Sequence, residues 1–261
     1  MTPGSGGGDA AGAGSAGGVD AGERPARPAR RSALYLCAPI NALVEGIYRE
    51  RIPFEKLREH GDFGLGTFDS LDGEMVMLDG RIFQVLASGL VREVTEPAAT
   101  PFAAVTRWSP ASYDDLPDAV DYDAFLDWLL TLLPSPNLAY ALRIEGAWAE
   151  VRVRSVPKQE GHKPLVEIAR EQPEFAFAEA TGTMAGFYTP PFLSSVSAPG
   201  LHLHFLSDDR TEGGHLLSCA PRGVRAEVQF ITSIEVGLPL SLEYLTWDFQ
   251  RDTAADLEEA E

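Results

Sequence analysis

The sequence predicts an α+β fold that is strand-rich, with mixed or antiparallel sheets, a few short helices and two closely packed β-rich halves. Three observations carry this expectation. Short apolar runs recur along the chain, bounded by Gly, Pro and Asp turn signals, which is the pattern of strands rather than of long helices. Segments with helical spacing are few and brief. The strand–helix alternation that builds a parallel sheet is missing, and no internal repeat marks a solenoid or propeller.

Residues 1–32 form a Gly/Ala-rich tail with a short Arg/Pro stretch and no Leu, Ile or aromatic residue. Such a segment buries too little apolar surface to offset its ordering entropy, so it reads as disordered. It lacks the apolar h-region of a secretory signal, which makes the cytoplasm the expected compartment. The folded part is then expected at 33–261, with its halves meeting near 157–163.

Within that part, Ala33 to Cys37 reads as a strand and Asn41 to Tyr48 as a short helix. Pro53 is suited to the first turn of a helix from Phe54 to His60 that stops at Gly61. Glu74 to Leu78 and Arg81 to Leu86 flank Asp79-Gly80, the dipeptide that favours a type I′ hairpin. Phe102 to Trp108 is a further strand. Tyr122 to Leu133 places Phe125, Trp128, Leu129 and Leu132 at helical spacing before Pro134 and Pro136. Leu138 to Ile144 and Trp148 to Val156 read as a hairpin turning at Glu145-Gly146. After a short helix from Leu165 to Glu171, Glu174 to Glu179 and Met184 to Tyr188 read as another pair, turning at Thr181-Gly182. Leu201 to Leu206, His215 to Cys219 and Val224 to Ile234 complete the strands.

Composition narrows the function. With 21 basic and 39 acidic residues the formal charge is −18 and the isoelectric point is near 4.6. A chain this acidic repels nucleic acid and anionic membrane, and no apolar run reaches the roughly 18–20 residues of a membrane span. Cys37 and Cys219, far apart in sequence, make neither a disulfide framework nor a thiolate metal knuckle.

The five histidines are at 60, 162, 202, 204 and 215, so three of them cluster. In Leu201-His202-Leu203-His204-Phe205 the imidazoles alternate with apolar side chains, so on a strand His202 and His204 share one face. The polar stretch from Ser207 to Gly214 lets the chain reverse and bring His215 onto a neighbouring strand. Three neutral imidazoles with open positions are the ligand set of a catalytic Zn²⁺ or another divalent ion. The first pair is similar to a cupin metal site, but a cupin places a Glu a few residues on, where this chain has Asp208 and Asp209.

Several segments in one order resemble the α-acetolactate decarboxylase family. They are His60-Gly61-Asp62-Phe63-Gly64-Leu65-Gly66-Thr67-Phe68 with Leu71-Asp72-Gly73-Glu74, then Thr100-Pro101-Phe102-Ala103, then Pro134-Ser135-Pro136-Asn137-Leu138 leading to Ala141-Leu142-Arg143-Ile144-Glu145-Gly146. Gly186-Phe187-Tyr188-Thr189-Pro190 and the histidine segment with Asp208-Asp209-Arg210 and Gly213-Gly214-His215-Leu216-Leu217 follow. The likeness spans roughly residues 33–261.

The resemblance implies loss of CO₂ from 2-acetolactate to give acetoin, with zinc held by His202, His204 and His215. It implies Arg143 as the residue that reaches the substrate, Glu74 as a carboxylate beside the metal and Thr67 as a hydrogen-bonding partner. A second acid is implied near the carboxyl terminus at Glu261, with Glu258 and Glu259 as neighbours that compete for the role. The substrate is a small 2-hydroxy-3-keto acid, an anion. A divalent ion on neutral ligands together with an arginine supplies about +3 locally, which in a low-dielectric pocket outweighs screened surface charge. Exposed strand edges suit a homodimer built by sheet extension. Two other readings use the same histidines. A cupin-like hydrolase or oxygenase would have no need of Arg143, and a zinc-stabilised binding module would close its shell with a fourth ligand such as Glu74.

Overall fold

The computed structural model describes Met1 and residues 32–260, with the backbone alone at 117–119 and 258–260. The tail expected to be disordered therefore falls almost wholly outside the described residues, as does Glu261.

The chain begins with β1 (Ala33–Leu36), α1 (Ile40–Val44), β2 (Ile52–Pro53) and α2 (Phe54–His60). Pro53 stands at the N-cap of α2, one residue earlier than expected. Next come β3 (Phe63–Thr67), β4 (Glu74–Leu78), β5 (Arg81–Val85), β6 (Val91–Glu93), β7 (Ala99–Thr100) and β8 (Ala103–Thr106). The second part holds β9 (Ser112–Ala119), α3 (Tyr122–Thr131), β10 (Ala139–Arg154), α4 (Leu165–Ala169), β11 (Glu174–Thr189), β12 (Gly200–Ser207) and β13 (Gly213–Ile231). The described chain finishes with β14 (Ser233–Val236), α5 (Leu242–Thr246) and α6 (Ala254–Ala260).

Among the described residues these strands make two large sheets, so the predicted α+β, strand-rich class holds. The first has the order β14-β1-β8-β3-β4-β5-β6, antiparallel except for the parallel β1–β14 pair. The second has the order β10-β11-β12-β13-β9, and β10 also pairs with β13, which closes four strands into a ring. The Asp79-Gly80 hairpin forms as its dipeptide predicts, with φ of 52° and 78° at the two central residues.

The hairpins expected at Glu145-Gly146 and Thr181-Gly182 do not form. β10 and β11 each run through those positions as one 16-residue strand, and β13 likewise merges two expected strands into 19 residues. Gly146 and Gly182 face each other across β10 and β11. A Cβ at Gly146 would stand 2.4 Å from the Gly223 carbonyl oxygen, and one at Gly182 2.5 Å from that of Leu206. These glycines admit close backbone approach inside a tightly coiled ring. The stretch around 157–163 is a loop tied to the first part, with the Tyr48 hydroxyl donating to the Lys163 carbonyl and Arg49 to that of Glu160. The sheets instead divide the chain near 107–111, and β14 returns from the far end to the first sheet.

Strand alternation sorts the core into three layers. Leu34, Leu65, Val76 and Ala104 from the first sheet pack against Ala141, Ala185 and Leu206 from the ring. Met75, Met77 and Val105, on the opposite face of the first sheet, pack under Phe54 and Leu57 of α2. Leu142, Ile144, Trp148, Phe205 and Ala226 fill the ring beside Phe125 and Leu129 of α3. The space between the sheets is where His202, His204 and His215 lie.

Candidate metal centre

His202 and His204 alternate on β12 with Leu203 and Phe205, which belong to the ring's interior core. The imidazoles therefore face the first sheet, as the His-X-His spacing predicts. β12 pairs with β13 so that His204 lies directly opposite His215. The three ring pairs have centroid separations of 4.9–5.3 Å, and one nitrogen from each residue lies within 4.8 Å of the others.

The first sheet supplies the opposite wall by the same alternation. Val76 and Leu78 point into the intersheet core, so Glu74, two residues earlier on β4, points there too. Its Oε2 lies 3.6 Å from His204 Nε2. Thr67 is opposite Glu74 across the β3–β4 pair, and its hydroxyl donates to the Gly73 carbonyl at 2.7 Å. With that proton engaged, Thr67 Oγ1 is left to accept.

His204 is 1% exposed, and its Nδ1 lies 2.9 Å from the Met75 carbonyl oxygen. A carbonyl only accepts, so Nδ1 carries the proton and the Nε2 lone pair faces the cluster. Nε2 of His204 is 3.2 Å from Nε2 of His202. Two Zn–N bonds of about 2.0–2.1 Å at a tetrahedral angle set their nitrogens roughly 3.4 Å apart, so this spacing fits one shared ion. Burial, aided by the charge of Arg154, pushes the His202 pKa down to about 3, and burial holds His204 well below the usual histidine range. Both rings are thus neutral, the form that binds metal. The donor set fits a divalent cation.

Arg143 is placed elsewhere. Its guanidinium donates to Asp79 Oδ1 at 2.9 Å and to Glu145 Oε1 at 2.7 Å, so it clamps the β4–β5 turn to the ring and does not line the histidine pocket. The arginine at the cluster is Arg154, opposite His215 on β10 and β13, with Nη2 3.2 Å from His215 Nε2. Among the described residues Arg154, and not the expected Arg143, lines the histidine pocket. Sequence parity hides it, because the β10–β13 register slips at Gly146/Trp148, Trp148/Glu150 and Arg152/Val153. Tyr140, Leu142, Ile144 and Trp148 fill the ring at even positions, whereas Val151 and Val153 fill it at odd ones. Past the slips, the even-numbered Arg154 and Val156 face the intersheet space.

The pocket that joins these groups is also lined by Ile40, Leu43, Phe102, Leu165 and Gln172, and it holds about 470 Å³ of non-protein space, part of it open to solvent. A larger groove, lined by Arg51, Asp72, Arg92 and Lys158, contains none of the histidines. The implied terminal acid at Glu261 lies outside the described residues, and the side chains of Glu258 and Glu259 do as well.

Residues 34–251 match the family model for alpha-acetolactate decarboxylase. The alpha-acetolactate decarboxylase of Methylococcus capsulatus is 38% identical over 229 residues, covering 87% of this chain and 88% of that protein. That of Brevibacillus brevis is 34% identical over 237 residues, covering 90% and 83%. The crystal structure of alpha-acetolactate decarboxylase from Bacillus subtilis strain 168 superposes with a TM-score of 0.85 at 28% identity, covering 88% of this chain and 99% of that one. With the family model matched over most of its length, the chain belongs to the alpha-acetolactate decarboxylase family.

Proposed function

We propose that the chain is a carboxy-lyase that converts 2-acetolactate to acetoin and CO₂, with a zinc ion held by His202, His204 and His215. The observation that carries this reading is the convergence of three imidazoles with Arg154 and Glu74 in one pocket. In the reaction the bond from the carboxylate carbon to the hydroxyl-bearing carbon breaks, CO₂ departs, and the electron pair passes to the neighbouring ketone. The resulting enediolate takes one proton at carbon to become acetoin. When bound, the cation supplies Lewis acidity to the oxygens that gather this charge.

The protein's own groups do the rest. Arg154 brings a fixed positive charge to the pocket and orients the anionic acid. Glu74, 7% exposed, holds the proton that is delivered to one face of the enediolate. Thr67 Oγ1, whose own proton is held by the Gly73 carbonyl, accepts a hydrogen bond from a water beside the substrate. Glu261 serves as the second acid in this reading. Ile40, Leu43 and Phe102 give the methyl groups an apolar wall and keep bulk water from the reacting atoms.

The same reading makes the substrate a small 2-hydroxy-3-keto acid and the setting cytoplasmic. No helix among the described residues is long and apolar enough to cross a membrane. The edge strands β6 and β9 offer surfaces for a homodimer. The deciding experiment incubates purified protein with racemic acetolactate, with and without a chelator. Acetoin formation that stops on chelation and returns with Zn²⁺ is expected; no acetoin from metal-loaded protein would refute the proposal.

A further inference from the structure

The pocket wall contains an amide oxygen that no group in the described protein satisfies. Gln172 lines the pocket, and its Oε1 is buried without a hydrogen-bond partner. Buried polar atoms in folded proteins are nearly always paired, because an unpaired one costs folding free energy. An unpaired acceptor beside a cluster of metal-ligating residues points to a ligand that supplies the missing donor.

The backbone around Gln172 is fixed. The Glu171 N–H donates to the Ile168 carbonyl at 3.0 Å at the end of α4. Pro173 restricts the residue before it to extended conformations. The Pro173 carbonyl accepts from the Ser155 N–H at 3.3 Å, and the buried Ser155 hydroxyl donates to the Val85 carbonyl at 2.7 Å. Ser155 directly follows Arg154, so the amide and the guanidinium are carried by segments tied to each other.

We infer that Gln172 is a specificity-determining residue whose Oε1 accepts a hydrogen bond from the hydroxyl group of the bound hydroxy acid. This rests on the decarboxylase reading. At neutral pH the carboxylate and ketone of 2-acetolactate only accept hydrogen bonds, and its tertiary hydroxyl is its one donor, so of the substrate's groups that one alone can pair with the amide oxygen. A site built this way rejects an analogue that lacks the hydroxyl, because the buried acceptor is left unpaired.

The test uses zinc-loaded full-length protein, wild type and Gln172→Leu, with 2-hydroxy-2-methylbutanoate and its deoxy counterpart 2-methylbutanoate as competing inhibitors of acetolactate turnover. Wild type is expected to prefer the hydroxy acid, and Gln172→Leu to shrink that preference by about tenfold, or about 1.4 kcal/mol. Zinc content should stay the same and thermal stability should not fall, because Oε1 makes no bond within the described protein. Should Gln172→Leu not fold, Gln172→Met carries the same comparison. No preference in wild type, an unchanged preference in the variant, or an equal loss for both acids, which would mark a carboxylate contact instead, overturns the inference. Wild-type protein that forms no acetoin rejects the decarboxylase reading itself; an active wild type with unaltered discrimination in the variant rejects only the role of Gln172.

Discussion

His204 on the ring donates through Nδ1 to the carbonyl of Met75 on the first sheet, a contact of 2.9 Å between residues 129 positions apart. One hydrogen bond thus joins the two sheets, selects the tautomer and turns Nε2 toward the other imidazoles. Removing that ring takes away a ligand and the hydrogen bond from the ring to the first sheet. His204→Ala is expected to lose bound metal and fall to background turnover. Elemental analysis showing a full zinc complement in the variant would contradict the ligand assignment.

The two arginines of β10 make a contrasting pair. Arg154→Ala should reduce turnover by about 10²-fold or more while metal stays bound, since it removes the cation nearest the histidines. Arg143→Ala breaks a pairing with two exposed carboxylates, so a stability change of about 0–1 kcal/mol with turnover nearly unaltered is expected. Steady-state kinetics and denaturant melts of both variants check this, and the reverse pattern would restore Arg143 to the mechanism.

Glu74→Gln keeps the size of the side chain and removes its ability to exchange a proton. Turnover should drop by about 10²–10⁴-fold with the fold and the zinc content preserved. Activity within a few-fold of wild type would assign the proton delivery to another group.

Gly186 lies on β11 next to the histidine strand, and a Cβ there would stand 2.0 Å from the His202 carbonyl oxygen and 2.9 Å from Leu203 Cα. Backbone cannot rotate away as a side chain does, so Gly186→Ala must displace the segment between the two imidazoles. A loss of about 1–3 kcal/mol in stability is expected together with weaker zinc retention on dialysis. Wild-type metal affinity in this variant would show that β12 has slack the packing does not suggest.

Which of these features could be read from sequence follows from how local each one is. His202 and His204 need only the two-residue period of a strand, and His215 needs only a polar reversal between two apolar runs. Glu74 and Thr67 come from the resemblance, and their strands put both on the inner face. Arg154 needs knowledge of the register slips along β10, which depend on the partner strand. Gly146 and Gly182 carry turn chemistry, yet ring closure uses them for close approach, so tertiary packing overrides the local signal. Gln172 is in a loop of ordinary composition, and only the folded pocket distinguishes it.

Burial pushes the thiols of Cys37 and Cys219 up to about 12. Both therefore stay protonated through pH 8, and iodoacetamide at that pH should leave the native protein unmodified but alkylate it after denaturation. Unfolded thiols titrate near the ordinary value of 9.0, so the stabilisation from burying them neutral is complete below that pH and is lost as the pH rises toward 12. Rapid native labelling, read by mass spectrometry, would show that one of the two is accessible.

The parallel seat of β14 against β1 has a consequence for biosynthesis. β1 leaves the ribosome long before its partner at Ser233–Val236. One flank of β1 stays uncovered until that partner has emerged, so the sheet closes late in synthesis, and nascent chains stalled before this point present that flank to chaperones.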